Sequence, residues 1–182
     1  MKRSSGLTLV EMMIVIMIIG IVSFGAVPFA EVAFVRLKEA ELQNNLQKIR
    51  TAISQWRRDC EAAVIRQLGQ PAMIAIPDFR LYQPSLLALT RANAFPVYDV
   101  SSSTPVITFF SRPYIDRIDE DPFIGNPTWL EWYASGTEVS LVSNGVIAQP
   151  GGIGVYDVSP ATDTTIRRGF VTALDGTNYA DW

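Results

Sequence analysis

The hydrophobic pattern begins with an apolar stretch near the N-terminus. Residues 12–30 contain no charged side chain over 19 consecutive positions. At about 1.5 Å per residue, a helix of this length spans about 28 Å, close to the roughly 30 Å hydrocarbon core of a bilayer. The stretch therefore predicts a membrane-spanning helix. A signal peptide is the plain alternative, but its apolar run of about 7–15 residues is shorter.

A narrower apolar pattern follows on the same predicted helix. Its members recur at spacings of four and three, which places them on one helical face. They are Leu42, Leu46, Ile49, Ile53, Trp56, Cys60 and Ala63. We predict that this seam packs on the protein's own C-terminal domain, with an independent coiled coil as the alternative. The helix is expected to end near 66–69, before Pro71.

From Pro71 onward, short apolar runs alternate with turn-forming residues. Residues 84–89 predict a short helical turn, and residues 106–110, 128–133 and 154–158 predict strands. Two further short runs flank Asn144-Gly145, a dipeptide that suits a type I′ hairpin turn. The expected fold class is α+β, in which a long N-terminal helix packs its amphipathic half on a small antiparallel sheet.

The composition excludes several kinds of catalytic and metal-binding site. The 182 residues include no histidine and one cysteine, Cys60. Ser-His-Asp and Cys-His catalytic groups, His-ligated metals, an intrachain disulfide and cysteine-based metal clusters are therefore excluded. The net charge of −3 argues against direct nucleic-acid binding. The sequence also lacks a Gly-rich phosphate loop, so we predict that the protein is not an enzyme. Cys60 lies on the apolar seam and is predicted to be a small buried hydrophobe.

One charge lies at the start of the apolar stretch. Glu11 follows the basic Lys2 and Arg3 and precedes the uncharged run. A carboxylate within a membrane span costs roughly 2.5–3.5 kcal/mol, which indicates a function and a partner. If the chain is cut after Gly6, the new amino group on Leu7 lies four residues before Glu11. The two groups pair poorly within one helix, but they can form a salt bridge between staggered copies.

The run Gly6-Leu7-Thr8-Leu9-Val10-Glu11, after a short basic leader, resembles the prepilin processing motif of type IV pilins and type II secretion pseudopilins. The resemblance implies that prepilin peptidase removes residues 1–6 by cleavage after Gly6. It also implies methylation of the new N-terminal residue, Leu7. The family's usual first mature residue is Phe, so Leu7 departs from the pattern.

The resemblance also implies assembly roles for two residues of the helix. Glu11 matches the glutamate that directs subunit addition to the filament, and Pro28 matches a proline that kinks the helix. The positive-inside rule keeps the basic leader in the cytoplasm, so the C-terminal domain is expected in the periplasm of a bacterium. The expected parts are a leader (1–6), a membrane and filament-core half of the helix (7–30), an amphipathic half (31–69) and an α+β head (70–182).

Within the family, the segment Asp121–Pro127 is similar to the Asp-Pro-aromatic-Gly-Asn-Pro segment of type II secretion major pseudopilins, with Ile124 as an extra residue. Such pseudopilins often hold a calcium ion near the C-terminus. The resemblance makes Asp157, Asp163 and Asp175 the candidate calcium ligands. The alternative for each aspartate is an Asx turn or a helix cap, which needs no metal.

The acidic residues Asp116, Asp119, Glu120 and Asp121 lie close to two arginines in the sequence. We predict a solvated polar turn there rather than a cation site.

The resemblance implies a structural subunit, most like the major pseudopilin whose filament drives type II protein secretion. Implied partners are further copies of the chain, prepilin peptidase, an inner-membrane assembly platform and minor pseudopilins. Three alternatives stay open: a type IV pilin of a surface pilus for adhesion, motility or DNA uptake, a minor pseudopilin, and a membrane-tethered periplasmic binding module.

Overall fold

The computed structural model describes residues 8–100, 104–134, 140–143, 146–147 and 153–182, with the backbone alone described at 140–143 and 146–147. The chain divides into two compact units, residues 1–38 and residues 39–182. One helix, α1 (Leu9–Leu68), runs for 60 residues and continues through Pro28.

α1 is the one helix among the described residues that is long and apolar enough to cross a membrane. Its most apolar window has a mean hydropathy of 2.5 and is 0% buried. The helix ends at Leu68, as the sequence predicts. Gly69 adopts a φ of 84°, a left-handed conformation that suits glycine, and its N–H donates to the carbonyl of Ile65 at 2.9 Å.

The predicted seam on α1 is confirmed. All seven of its residues are buried, and Ala52 and Val64 are buried with them. Trp56 is fully buried and meets Phe95 and Phe109 edge to face, with ring centroids 5.8 and 5.4 Å away. The head therefore covers this face of the helix.

Cys60 on the seam is fully buried, as predicted. Burial raises the pKa of its thiol to about 12. The side chain is therefore a protonated, inert part of the core.

Two antiparallel sheets complete the head and confirm the α+β fold class. The first pairs β1 (Ala94–Val97) with β2 (Ile107–Phe110). The second has the order β5-β4-β3-β6. Its strands are β3 (Trp129–Tyr133), β4 (Ser140–Ser143), β5 (Val146–Ile147) and β6 (Val155–Pro160). Short 3-10 helices are formed by Gln70–Ile74, Asp78–Leu81, Leu86–Thr90 and Tyr179–Asp181.

The predicted hairpin is confirmed by the pairing of β4 with β5. Val142 lies opposite Ile147, and Ser143 lies opposite Val146. The predicted turn residues, 144 and 145, lie outside the described residues.

A close backbone approach fixes the start of β6. A Cβ on Gly154 would lie 2.1 Å from the carbonyl oxygen of Phe79, and its φ is 77°. Only glycine fits this position. The next residue, Val155, donates its N–H to the carbonyl of Gln83 at 2.9 Å. These contacts hold β6 against the segment of 3-10 helices.

Glu131 on β3 is a fully buried carboxyl group. Its Oε1 accepts the backbone N–H of Leu86 at 2.9 Å, and its Oε2 accepts the hydroxyl of Tyr133. Burial raises the pKa of Glu131, and the two hydrogen bonds oppose that shift. The carboxyl group joins the 3-10 segment to the sheet.

The raised pKa of Glu131 predicts a pH-dependent stability. Above the ordinary value of 4.5, the folded state keeps a proton that the unfolded state releases. The contribution of this group to the free energy of unfolding is therefore full at low pH and falls as the pH rises through the raised pKa. The free energy of unfolding of wild type minus that of Glu131→Gln should accordingly be larger at about pH 4 than at about pH 7. Urea unfolding of the full chain in detergent measures both values.

A matched variant, Glu120→Gln, removes an exposed carboxylate nearby in the sequence. A stability difference between wild type and Glu131→Gln that is equal at the two pH values would contradict the prediction.

Candidate functional site

The start of α1 has a capping arrangement that places Glu11 in the first turn. The backbone N–H of Glu11 donates to Oγ1 of Thr8 at 3.3 Å. The spacing Thr8-x-x-Glu11 is that of a capping box, and a carboxylate in the first turn also suits the helix dipole. This local role was not predicted from the sequence, although the Thr-x-x-Glu spacing signals it.

The carboxylate of Glu11 is exposed and has no ion-pair partner among the described residues. The apolar side chains that follow it are exposed too. Leu9 is 77%, Phe24 88% and Phe29 79% exposed. A continuous apolar surface of this kind needs lipid or protein to cover it. This segment therefore combines an apolar surface with one carboxylate that is available to an external cation.

The two processing residues, Gly6 and Leu7, lie outside the described residues, so cleavage and methylation there stay predictions. Pro28 lies inside α1, which remains helical on both sides of it. Its role in assembly also stays a prediction.

Comparison with known families bears on this segment. Residues 1–27 match the family model for the prokaryotic N-terminal methylation motif. The chain carries a prepilin-type N-terminal segment. The match supports assignment to the type IV pilins and pseudopilins, whose subunits are processed by prepilin peptidase and polymerise. No match was found among curated proteins or among solved structures.

The C-terminal part of the head is closed by a buried ion pair. Asp121 and Arg167 both have 0% of their side chains exposed, and Nη1 of Arg167 lies 2.7 Å from Oδ2 of Asp121. The other carboxylate oxygen of Asp121 accepts the backbone N–H of Phe123 at 2.9 Å. The pair joins the turn at residues 121–126 to the segment that follows β6.

This pair corrects one prediction. Asp116 and Glu120 are exposed, and Asp119 pairs with Lys48 at 2.6 Å, but Asp121 is buried. The prediction of a solvated polar turn is therefore wrong for Asp121. The physical reason is the guanidinium of Arg167, which lies 46 positions away in the sequence and compensates the buried carboxylate.

Aromatic rings enclose the guanidinium of Arg167. It lies 4.8 Å from the ring centroid of Tyr179 and 5.4 Å from that of Phe123, and its Nε donates to the carbonyl of Phe170 at 2.6 Å. Burial raises the pKa of Asp121 and lowers the pKa of Arg167, and the charge of each partner opposes the shift of the other. The ion pair lies in the core, where either charge without its partner would destabilise the folded state.

Tyr179 connects this cluster to α1. Its hydroxyl donates to Oε1 of Glu39 at 2.8 Å, and the backbone N–H of Leu174 donates to the same oxygen at 2.8 Å. Burial raises the pKa of Tyr179, and the hydrogen bond to Glu39 adds to the shift. Residues 161–182 are thus fastened to the helix at the Glu39 end of the head.

The three candidate calcium ligands have other partners. Asp157 pairs with Nε of Arg50 at 2.7 Å. Oδ1 of Asp163 accepts the N–H of Thr165 at 2.7 Å, and Oδ1 of Asp175 accepts the N–H of Thr177 at 2.9 Å. The hydrogen bond from the backbone of Thr165 lowers the pKa of Asp163, and hydrogen bonds from the hydroxyl and then the N–H of Thr177 lower the pKa of Asp175.

Asp163 and Asp175 therefore form the Asx turns that were the alternative to metal binding. The part of the chain that the structure describes includes no group of three or more His, Cys, Asp or Glu side chains that could hold a metal ion. Calcium binding stays a prediction.

The buried pair predicts a strongly coupled double-mutant cycle. Arg167→Met leaves the carboxylate of Asp121 buried without its cation, which should cost about 3–5 kcal/mol of unfolding free energy. Asp121→Asn leaves the guanidinium without its anion. The double variant should cost less than the sum of the two single variants, as measured by denaturant unfolding of the full chain in detergent.

The exposed pair of Lys48 and Asp119 provides the control, because Lys48 is 52% exposed. Lys48→Met should cost about 0–1 kcal/mol. An equally small cost for Arg167→Met would contradict the role given to the buried pair.

Proposed function

We propose that the chain is a structural subunit of a type II secretion pseudopilus. In this proposal, prepilin peptidase removes residues 1–6 by cleavage after Gly6, and Leu7 becomes the methylated N-terminus. The match of residues 1–27 to the methylation motif is the observation that carries the proposal.

The position of Glu11 supports assembly as the purpose of this processing. Its carboxylate lies at the start of an apolar helix, where lipid disfavours a charge. In a filament of axially staggered copies, the amino group of Leu7 in one subunit pairs with Glu11 of a neighbour. The unpaired carboxylate in lipid is thereby replaced by a compensated pair, so Glu11 favours the assembled state over the lone membrane helix.

Subunit addition then follows from the shape of the contact. A contact between two different surfaces on successive copies generates an open helical filament when the rotation between copies does not close a ring. Residues 7–30 supply the membrane anchor before assembly and the filament core after it. The N-terminus lies in the cytoplasm and the head in the periplasm, at the bacterial inner membrane. The partners are an assembly platform and minor pseudopilins.

The choice of a major pseudopilin rests on the head. The segment Asp121–Pro127 is similar to the major pseudopilin segment, and in this chain Asp121 and Asn126 form an isolated β-bridge within it. The single cysteine, Cys60, is buried on α1 and leaves the C-terminal segment without a disulfide. A surface type IV pilin and a minor pseudopilin share the same processing and stay as alternatives.

Replacing Glu11 separates a filament subunit from a tethered binding module. Glu11→Ala should leave cleavage and membrane insertion intact, because it removes an unfavourable charge from the span. Assembly should be lost, because the amino group of the neighbouring subunit has no carboxylate to pair with. Membrane fractionation and sedimentation of sheared filaments measure the two properties separately.

The matched control is Glu31→Ala, which removes an exposed carboxylate further along α1. It should leave assembly intact. Normal filament yield from Glu11→Ala would contradict the proposal and favour the tethered module.

A further inference from the structure

Arg50 on α1 binds oxygen atoms from two separate parts of residues 157–182. Its Nε donates to Oδ1 of Asp157 at 2.7 Å, and its Nη2 donates to the carbonyl of Val158 at 2.9 Å. Its Nη1 donates to the carbonyl of Trp182. One guanidinium therefore brings a carboxylate and two backbone carbonyls together on the helix.

These oxygen atoms are of the kind that calcium binds in proteins, because calcium takes carboxylates and backbone carbonyls as ligands. Each of them already accepts a hydrogen bond from Arg50. Oδ1 of Asp157 also accepts the backbone N–H of Val158 at 2.8 Å. A metal ion at this place would have to displace the guanidinium, whose positive charge already lies beside Asp157.

The other two candidate calcium ligands are engaged elsewhere. Asp163 is exposed and accepts the N–H of Thr165 within its own Asx turn. Asp175 is exposed and accepts the N–H and the hydroxyl of Thr177 in the same way. Across the described ranges, no three acidic, histidine or cysteine side chains form a group that could hold a metal ion. The candidate residues therefore do not fit the calcium site that the resemblance implies.

A second guanidinium acts in the middle of the same segment. Arg167 pairs with the buried Asp121, and its Nε donates to the carbonyl of Phe170 at 2.6 Å. It too binds one carboxylate and a backbone carbonyl. Arg50 and Arg167 together hold residues 157–158, 167–170 and 182 with positive charge that the chain itself supplies.

We infer that the guanidinium of Arg50 takes the place of a metal ion in fastening residues 157–182 to α1, so that the head folds and stays closed without calcium. Arginine suits this role because its planar fork stays charged and can bind several oxygen atoms at once. The inference goes beyond the proposed function, because it concerns the head alone and holds whether or not the chain forms a filament.

Thermal unfolding of the full chain in detergent tests the inference. Tryptophan fluorescence reports on the head, because all four tryptophans lie within residues 39–182. An ion that binds the folded state alone raises the melting temperature by mass action. Wild type should therefore melt at the same temperature in EGTA, in millimolar magnesium and in millimolar calcium. A melting temperature that is higher in calcium than in magnesium or EGTA would overturn the inference.

Replacing Arg50 tests its part in the closure. Arg50→Met keeps an apolar stem but removes the guanidinium, so Asp157 and both carbonyls lose a charged donor. The melting temperature should fall by roughly 3–8 °C, by the same amount in EGTA and in calcium. Arg50→Lys keeps the charge without the planar fork, so its melting temperature should lie between those of wild type and Arg50→Met.

The matched control is Arg58→Met, about two turns further along α1. Arg58 is exposed and has no ion-pair partner among the described residues. Its replacement should leave the melting temperature nearly unchanged. A loss from Arg50→Met no larger than that from Arg58→Met would overturn the inference.

The comparison of wild type in calcium and in EGTA needs no variant, so it decides the question even if Arg50→Met fails to fold. Filament yield from wild type is measured separately. A head that requires calcium would overturn this inference and leave the proposed filament function standing, whereas a calcium-independent head that forms no filaments would do the reverse.

Discussion

The apolar surface of α1 has to be removed from water along its whole length, and the molecule does this in two ways. From Leu42 to Val64 the head covers one face of the helix, with Trp56 packed against rings from β1 and β2. From Leu9 to Phe34 the apolar side chains are exposed all around the helix. The first part is satisfied within the chain, whereas the second requires lipid or other subunits. The account of membrane insertion and assembly depends on this difference.

The C-terminal segment illustrates how a small head holds a long irregular stretch without a disulfide. Asp121 and Arg167 form a pair that is fully buried, and Tyr179 covers the guanidinium and reaches Glu39 on the helix. A buried pair is not by itself strong evidence of stability, because desolvation offsets much of the attraction. The pair instead determines where the C-terminal segment packs, because any arrangement that separates the partners leaves an unpaired charge in the core. The pair therefore fixes the C-terminal segment in one arrangement.

Local patterns in the sequence predicted much of this fold, and long-range contacts account for what they missed. The spacing of the seam predicted the buried face of α1, because helical periodicity is a local property. Strand β1 was not predicted, since Pro96 within it weakens the strand signal. The burial of Asp121 was hidden because its partner is distant in the sequence. In the candidate site, Glu11 was recognised from its apolar surroundings, whereas its capping contact with Thr8 was overlooked.

Intact-mass measurement of the protein recovered from membranes tests the central claim most directly. The chain should be expressed in a host that contains prepilin peptidase. The account predicts a protein that begins at Leu7, lacks residues 1–6 and carries the added mass of one methyl group. A protein that retains the leader in that host, or one cleaved beyond the apolar stretch like a secreted protein, would contradict the assignment as a processed filament subunit.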